Sequence, residues 1–264
     1  MLIPRVPCLI VALTLILSAC HGKTPDHAMA PTAPLAATKT SPPKTASTEA
    51  ATTKNAKPTP KATSPSEDIG KAPAKEDFEK ISVGKLPPHF TPTVGRWEVT
   101  SAKTPGEGTH VLAQGAKSAG NIFNVMLISG TSYRDVDVSV GMRAVAGHID
   151  QGGGCMWRAR DTHNYYVARY NPLEDNFRVY TVVKGHRRMI GDATVRLPHA
   201  AWHTLRISMK GDHIKGYLDG SKHLDVHDTT FGDTGQIGLW TKADAQTHFD
   251  DLRVHTMLPT APKK

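Results

Sequence analysis

The residues best equipped for chemistry in this chain lie between Trp157 and Tyr180. Tyr165 and Tyr180 bring flat rings, and Arg158, Arg160, Asn164, Arg169, Asn176 and Arg178 bring planar hydrogen-bonding groups. Together they suit a hydroxylated ring compound, because aromatic faces cover its apolar faces while planar polar groups pair with its hydroxyls. Alternation along Gly154 to Arg160 sets Met156, Arg158 and Arg160 on one side and Cys155, Trp157 and Ala159 on the other. If the second set is core, Arg158 and Arg160 face out of the sheet. From the next strand, Tyr165 and Arg169 join them in preference to Tyr166 and Tyr170. The expectation is a cationic, aromatic, concave patch of Arg158, Arg160, Asn164, Tyr165, Arg169, Asn176, Arg178 and Tyr180. The plainer alternative is that the arginine stems cover the sheet and pair with Asp161, Glu174 and Asp175.

Other constellations are weaker. His199 and His203, and likewise His223 and His227, have the spacing that on a helix would aim two imidazoles at one metal, but both pairs sit in strand or turn contexts without a glutamate or third ligand. Gly152-Gly153-Gly154 lacks the lysine and helix of a phosphate loop and reads instead as a strand thinned for close approach of backbone or ligand. Trp240, Lys242 and Asp244 invite a site, although a tryptophan at a strand end is more often a packing anchor. Asp135 and Asp137 share one side of an alternating run whose Val136, Val138 and Val140 point the other way, to the core.

These side chains must be placed by strands. From Phe78 to about Val254 the chain is a succession of short apolar-alternating runs broken by glycines, with no long helical period. Strands are expected over 96–100, 110–114, 122–128, 133–145, 154–160, 164–170, 176–184, 202–210, 213–218, 222–226, 236–241 and 248–254. Asp219-Gly220 marks a tight hairpin, and Gly211-Asp212 and Lys184-Gly185 mark similar turns. The class is all-β, an antiparallel two-sheet jelly-roll sandwich over 76–257, with 258–264 a disordered tail.

The amino-terminal part has another character. Arg5 precedes an apolar run from Leu9 to Leu17 that ends at Ser18-Ala19-Cys20, too short to span a bilayer and built like an export signal over 1–19. Leu17-Ser18-Ala19-Cys20 resembles a bacterial lipobox, in which the cysteine is acylated, so Cys20 is the expected lipidation site. Residues 20–75 are rich in Pro, Ala, Thr, Ser and Lys and cannot bury enough surface to fold, which makes them a tether reaching on the order of 40 Å as coil and about 170 Å when extended. Much of the net charge of +8 sits there. With no nucleic-acid-binding motif beside it, this charge suits an anionic membrane or cell-wall polymer better than nucleic acid. With Cys8 removed and Cys20 acylated, Cys155 has no partner and reads as a small buried hydrophobe. The expected location is the bacterial cell envelope. His21 after the cysteine, in place of an inner-membrane-retaining aspartate, favours the outer membrane.

The strands carry a family resemblance. Gln151 to Asp161, Asn164 to Arg169, Asp175 to Tyr180, Trp202 to Arg206, Tyr217 to Gly220 and the closing Phe249-Asp250-Asp251 resemble the concanavalin A-like lectin/glucanase superfamily, within it the laminin-G-like and 3-keto-disaccharide hydrolase domains. The resemblance implies the fold and a choice of sugar binding, glycoside cleavage or protein adhesion. Laminarinase-type members carry Glu-x-Asp-x-Glu on a strand, and the nearest match, Asp135-Val-Asp-Val-Ser139, lacks both glutamates. A hydrolase of keto-sugars would instead need one base to take the acidified proton beside the ketone, and no base can be assigned. The resemblance also suggests a structural calcium near Asp250 and Asp251, without a spaced acidic loop to support it. No other cofactor is expected. The reading is an envelope lipoprotein that binds carbohydrate or another envelope polymer, with a keto-disaccharide or β-glucan hydrolase and a protein-interaction module as alternatives.

Overall fold

Alternating valines build the central strand of the first sheet: Val136, Val138 and Val140 of β6 (Val136–Ala146) are fully buried, while Asp137 and Ser139 between them face outward. A computed structural model of the protein describes residues 74–257 other than Pro105 and Glu107. Cys20, the export signal, nearly all of the tether and the 258–264 tail lie outside the described residues. Every regular element described is a strand.

One sheet runs in the order β13-β12-β11-β6-β15-β4-β3, formed by Ser221–His227, His213–Leu218, Trp202–Lys210, β6, Gln246–Thr256, His110–Gln114 and Trp97–Ser101. A short β1 (Lys75–Glu76) adds to β15, so the fold begins one residue before the expected boundary. The second sheet runs β10-β9-β8-β7-β14-β5-β2, formed by His186–Thr194, Asn176–Val183, Asn164–Asn171, Gly153–Asp161, Gly235–Lys242, Phe123–Tyr133 and Phe90–Val94. Every pairing is antiparallel, and the two sheets form the expected all-β jelly-roll sandwich.

Between the sheets Trp157 stacks on Tyr166 and Trp97 on Phe249, among buried Val99, Leu112, Leu205 and Leu239. Cys155 is fully buried there, and burial pushes its thiol up to about 12, so it is inert. At the hairpin joining β12 to β13, Asp219 and Gly220 both take positive φ, 48° and 79°, as a primed turn requires.

Besides the two-residue β1, two strands escape the sequence pattern. β2 carries Pro92, which an edge strand tolerates because a position on its open side needs no N–H to donate to a neighbouring strand. β10 reads His-Arg-Arg-Met-Ile-Gly-Asp-Ala-Thr and shows almost no alternation, because it is the other edge and largely exposed. Tyr133 closes β5 rather than opening β6. Gly154 fits the expectation of close approach, and the approaching group is backbone: a Cβ there would lie 1.9 Å from the Ala168 carbonyl oxygen.

Candidate functional site

The outer face of the seven-stranded sheet is not a plain polar surface. A second apolar cluster covers it, made of Val125, Met156, Ala159, Tyr165, Val167, Tyr180, Val182 and Trp240, with Phe123 and Leu127 packed at its margin. Strands lie about 4.8 Å apart, so β10 and β5, five steps apart in the order, would stand about 24 Å from each other in a flat sheet. Yet Arg187 of β10 holds its guanidinium 5.6 Å from the Phe123 ring of β5. The sheet is therefore curled, and this face is its concave side. Arg187 also lies 4.2 Å from the Tyr180 ring and 5.9 Å from Trp240, so three rings surround one cation. Trp240 donates from Nε1 to the Tyr165 hydroxyl at 3.2 Å, fixing both rings at the floor.

Beside the rings lies a network of charged groups. Arg169 pairs with Glu174 at 2.9 Å and with Asp150 at 3.5 Å, and both arginine and Asp150 are almost wholly buried. Lys242 reaches Asp150 at 3.5 Å, and Asn171 donates to the same carboxylate at 3.1 Å. Arg178 spans Glu174 at 3.2 Å and Asp192 at 2.8 Å. Burial raises the Asp150 carboxyl above its ordinary value against the opposing pull of Arg169 and Lys242. Burial also acts on Glu174, but the Asn176 hydrogen bond and the Arg169 charge outweigh it and hold that carboxyl low.

Asp150 is positioned from outside its own loop. Asp244, in the turn after β14, accepts from the backbone N–H groups of His148, Ile149 and Asp150 at 2.8, 3.0 and 3.1 Å. That clamp fixes the loop between β6 and β7 and delivers Asp150 to Arg169. Trp240, Lys242 and Asp244 thus all border the concave face, and Trp240 is an anchor for that face rather than for the space between the sheets.

The expected patch is only partly assembled. Arg169, Asn176, Arg178 and Tyr180 come together here, with Tyr165 beneath them. Arg169, Asn176, Tyr165 and Tyr180 are buried rather than presented to solvent, because the curled sheet and Arg187 close over them. Arg158 does not face this side as an open donor. It has φ of 46°, a left-handed bulge that interrupts strand alternation, and Ala159 takes the place beside Met156 that simple alternation gave to Arg158. The buried Arg158 guanidinium instead donates to the carbonyls of Arg134 at 2.6 Å, Phe231 at 2.7 Å and Gly211 at 2.7 Å, and lies 3.4 Å from Asp135. It is a tie among loops at one end of the sandwich. Arg160 is exposed, paired with Asp233 at 2.8 Å and 5.3 Å from the Phe231 ring. Asn164 belongs to its hairpin, donating to Asp161 and accepting from Lys184 N–H.

Asp150, Arg187 and Phe123 escape sequence reasoning. Asp150 sits in a loop, Arg187 in a polar edge strand, and Phe123 comes from a strand two places from β7. The nearest sequence signal was the Trp240, Lys242 and Asp244 group.

The remaining candidates are structural. Asp137 forms a two-pronged pair with Arg206, at 2.8 and 2.6 Å, so Asp135 and Asp137 are not a free acid pair. His203 is bound on both ring nitrogens, by Asp219 at 2.8 Å and the Pro198 carbonyl at 2.9 Å. Asp250 and Asp251 do not fit a calcium ion. Asp250 is buried, burial raises its carboxyl to about 7, and Asp251 is engaged by Arg253 at 3.2 Å and Lys75 at 3.7 Å. Among the described residues no group of three or more His, Cys, Asp or Glu is arranged to hold a metal ion.

Residues 91–255 match the family described as 3-keto-alpha-glucoside-1,2-lyase-like domain. The chain belongs to that family. No curated protein sequence matches it. Among solved structures, this 3-keto-alpha-glucoside-1,2-lyase-like domain is similar to the carbohydrate-binding module CBM66 of Bacillus subtilis, at 24% identity over 64% of this chain and 96% of that one, with a TM-score of 0.53. It is also similar to the cellulose induced protein Cip1, at 13% identity over 69% of this chain and 97% of that one, TM-score 0.52. A third likeness is to a GH16 protein of Bacteroides ovatus in complex with a G4G4G3G product, at 11% identity over 69% of this chain and 99% of that one, TM-score 0.50. At these identities the likenesses are ones of fold, shared by carbohydrate-binding modules and glycoside hydrolases alike.

Proposed function

We propose that the concave face binds a saccharide and that binding, rather than cleavage, is its work. The observation that carries this reading is the pairing of every carboxylate in the charged network: Asp150 with Arg169 and Lys242, Glu174 with Arg169 and Arg178, Asp192 with Arg178. A base for proton abstraction must be able to take up a proton, and cation pairing opposes that. The same pairing holds planar hydrogen-bonding groups rigidly around Tyr180, Phe123 and Trp240, which suits a sugar ring. The carbohydrate-binding relative of the same fold adds to this support.

A second reading has one specific observation in its favour. Asp150 is buried and its carboxyl raised, as a general base would be, and the family name is that of a lyase. In that reaction the base would take the proton at C2 beside the ketone, and the electrons would expel the C1 substituent. A glycan array with the chain carrying Cys20→Ser, read for both retention and released product, separates the two. Retention without product is expected, and product formation that vanished in Asp150→Asn would overturn the binding reading.

We also propose that the domain is held at the bacterial envelope through lipid on Cys20, with residues 20–75 as its tether and the outer membrane as its site. The four-residue lipobox resemblance after a short apolar run supports this. Metabolic labelling with an alkynyl fatty acid should mark the wild-type chain and leave Cys20→Ser unmarked.

A further inference from the structure

On the reading that the concave face binds a saccharide, we propose that its ligand is an acidic sugar, whose carboxylate pairs with Arg187 backed by Arg169. The charges on the face point there. Its cations are Arg169, Arg178, Arg187 and Lys242, and its carboxylates are Asp150, Glu174 and Asp192. The three acids are all taken up by Arg169, Arg178 and Lys242. Among the described residues Arg187 is the surplus cation, in contact with the ring faces of Phe123, Tyr180 and Trp240 and in no ion pair. Its Nη1 is buried without a hydrogen-bond partner.

Arg169 repeats the pattern behind it. The residue is 1% exposed, yet Nε and Nη1 lack hydrogen-bond partners; Nη1 stands 3.5 Å from Asp150 without forming a bond. Buried guanidinium nitrogens are normally paired, since leaving them unmet forfeits the hydration they have lost. A neutral sugar could meet the N–H groups but not the unbalanced charge. A carboxylate meets both, through two oxygens matched to two planar N–H donors.

Arg187 can move to do this. It stands on the edge strand β10, half-buried at the rim, and a long unbranched side chain is its only attachment. Rotation about those bonds lifts the guanidinium off the rings, frees the ring faces for the sugar and carries Nη1 to the carboxylate. Asp150 and Glu174 also face this position, but their charges remain spent on Arg169, Arg178 and Lys242.

Isothermal titration of the chain carrying Cys20→Ser tests the proposal with oligomers of galacturonate, glucuronate and mannuronate, each beside its carboxyl-reduced neutral counterpart and beside inorganic sulfate. At least one uronate oligomer should bind at least about tenfold tighter than its reduced form, and Arg187→Gln should remove most of that preference while Arg187→Lys keeps part of it. An unchanged melting temperature in Arg187→Gln ties the loss to the side chain rather than to the fold. Equal binding of acid and reduced forms, an unchanged preference in Arg187→Gln, or displacement by millimolar sulfate would overturn the proposal. If neutral oligomers bind and acids bind no better, acidity fails while saccharide binding stands. If no oligomer binds, the acidic-sugar proposal fails, and the glycan array decides whether saccharide binding stands.

Discussion

Two buried arginines on neighbouring strands, Arg158 of β7 and Arg169 of β8, are treated in opposite ways. Arg158 spends its donors on three backbone carbonyls and the Asp135 carboxylate at one end of the sandwich. Arg169, on the concave face, keeps Nε and Nη1 without hydrogen bonds, and Arg187 above it has only rings. The difference separates a guanidinium whose donors are used as a strut from guanidinium groups with donors left unmet. Burial by itself is the same in both places, so only the accounting of donors and acceptors distinguishes them.

Removing the strut should have the largest effect. Arg158→Met removes the donors that tie the carbonyls of Arg134, Gly211 and Phe231 together and leaves Asp135 without its cation, and should lower unfolding free energy by about 3–5 kcal/mol in urea denaturation. A loss under about 1 kcal/mol would break the comparison, because Arg158 would then be no more structural than its concave-face counterpart.

Asp250 sharpens the comparison from the acidic side, as a buried carboxyl that accepts from the Asp251 N–H at 2.7 Å and, among the described residues, forms no ion pair with a cation. Burial raises it from 3.8 to about 7 in the folded chain. The unfolded chain ionises first, so the proton held by Asp250 supports the fold fully below about pH 4, and this support drains away as pH rises toward 7. Asp250→Asn should therefore stabilise the protein by up to about 4 kcal/mol at pH 8 and by almost nothing at pH 4, read as melting temperature against pH. A constant difference across that range would contradict the assignment.

Arg187→Met should change stability least, within about 1 kcal/mol of the parent in the same denaturation, since cation–π contacts are lost while a buried unmet donor is removed. A cost as large as that of Arg158→Met would make Arg187 a second strut.

Much of the fold is legible in the sequence because one face of most strands is buried. Val136, Val138 and Val140 announce β6, and Asp219-Gly220 announces the β12 to β13 hairpin. The edge strands β2 and β10 are not legible, since an edge with little burial is under little pressure to alternate. The site was legible as composition and wrong in orientation at Arg158, where one left-handed residue shifted the phase of the strand. Tyr165 and Trp240 show a second limit. Tyr165 is expected on the patch and Trp240 as a packing anchor, and both become a buried floor on the outer side of a sheet whose curl no local pattern encodes.

The sequence by itself determined the all-β class, most of the strands, the family resemblance and the residue types from which a saccharide face could be built. Those follow from alternation, turn chemistry and composition, which act over a few residues. Only the tertiary structure decided which arginine is a strut and which is left with unmet donors. Asp150, Arg169, Arg187 and Trp240 lie on a loop and three different strands, and it is the curl of the sheet that gathers them and fixes which donors find acceptors.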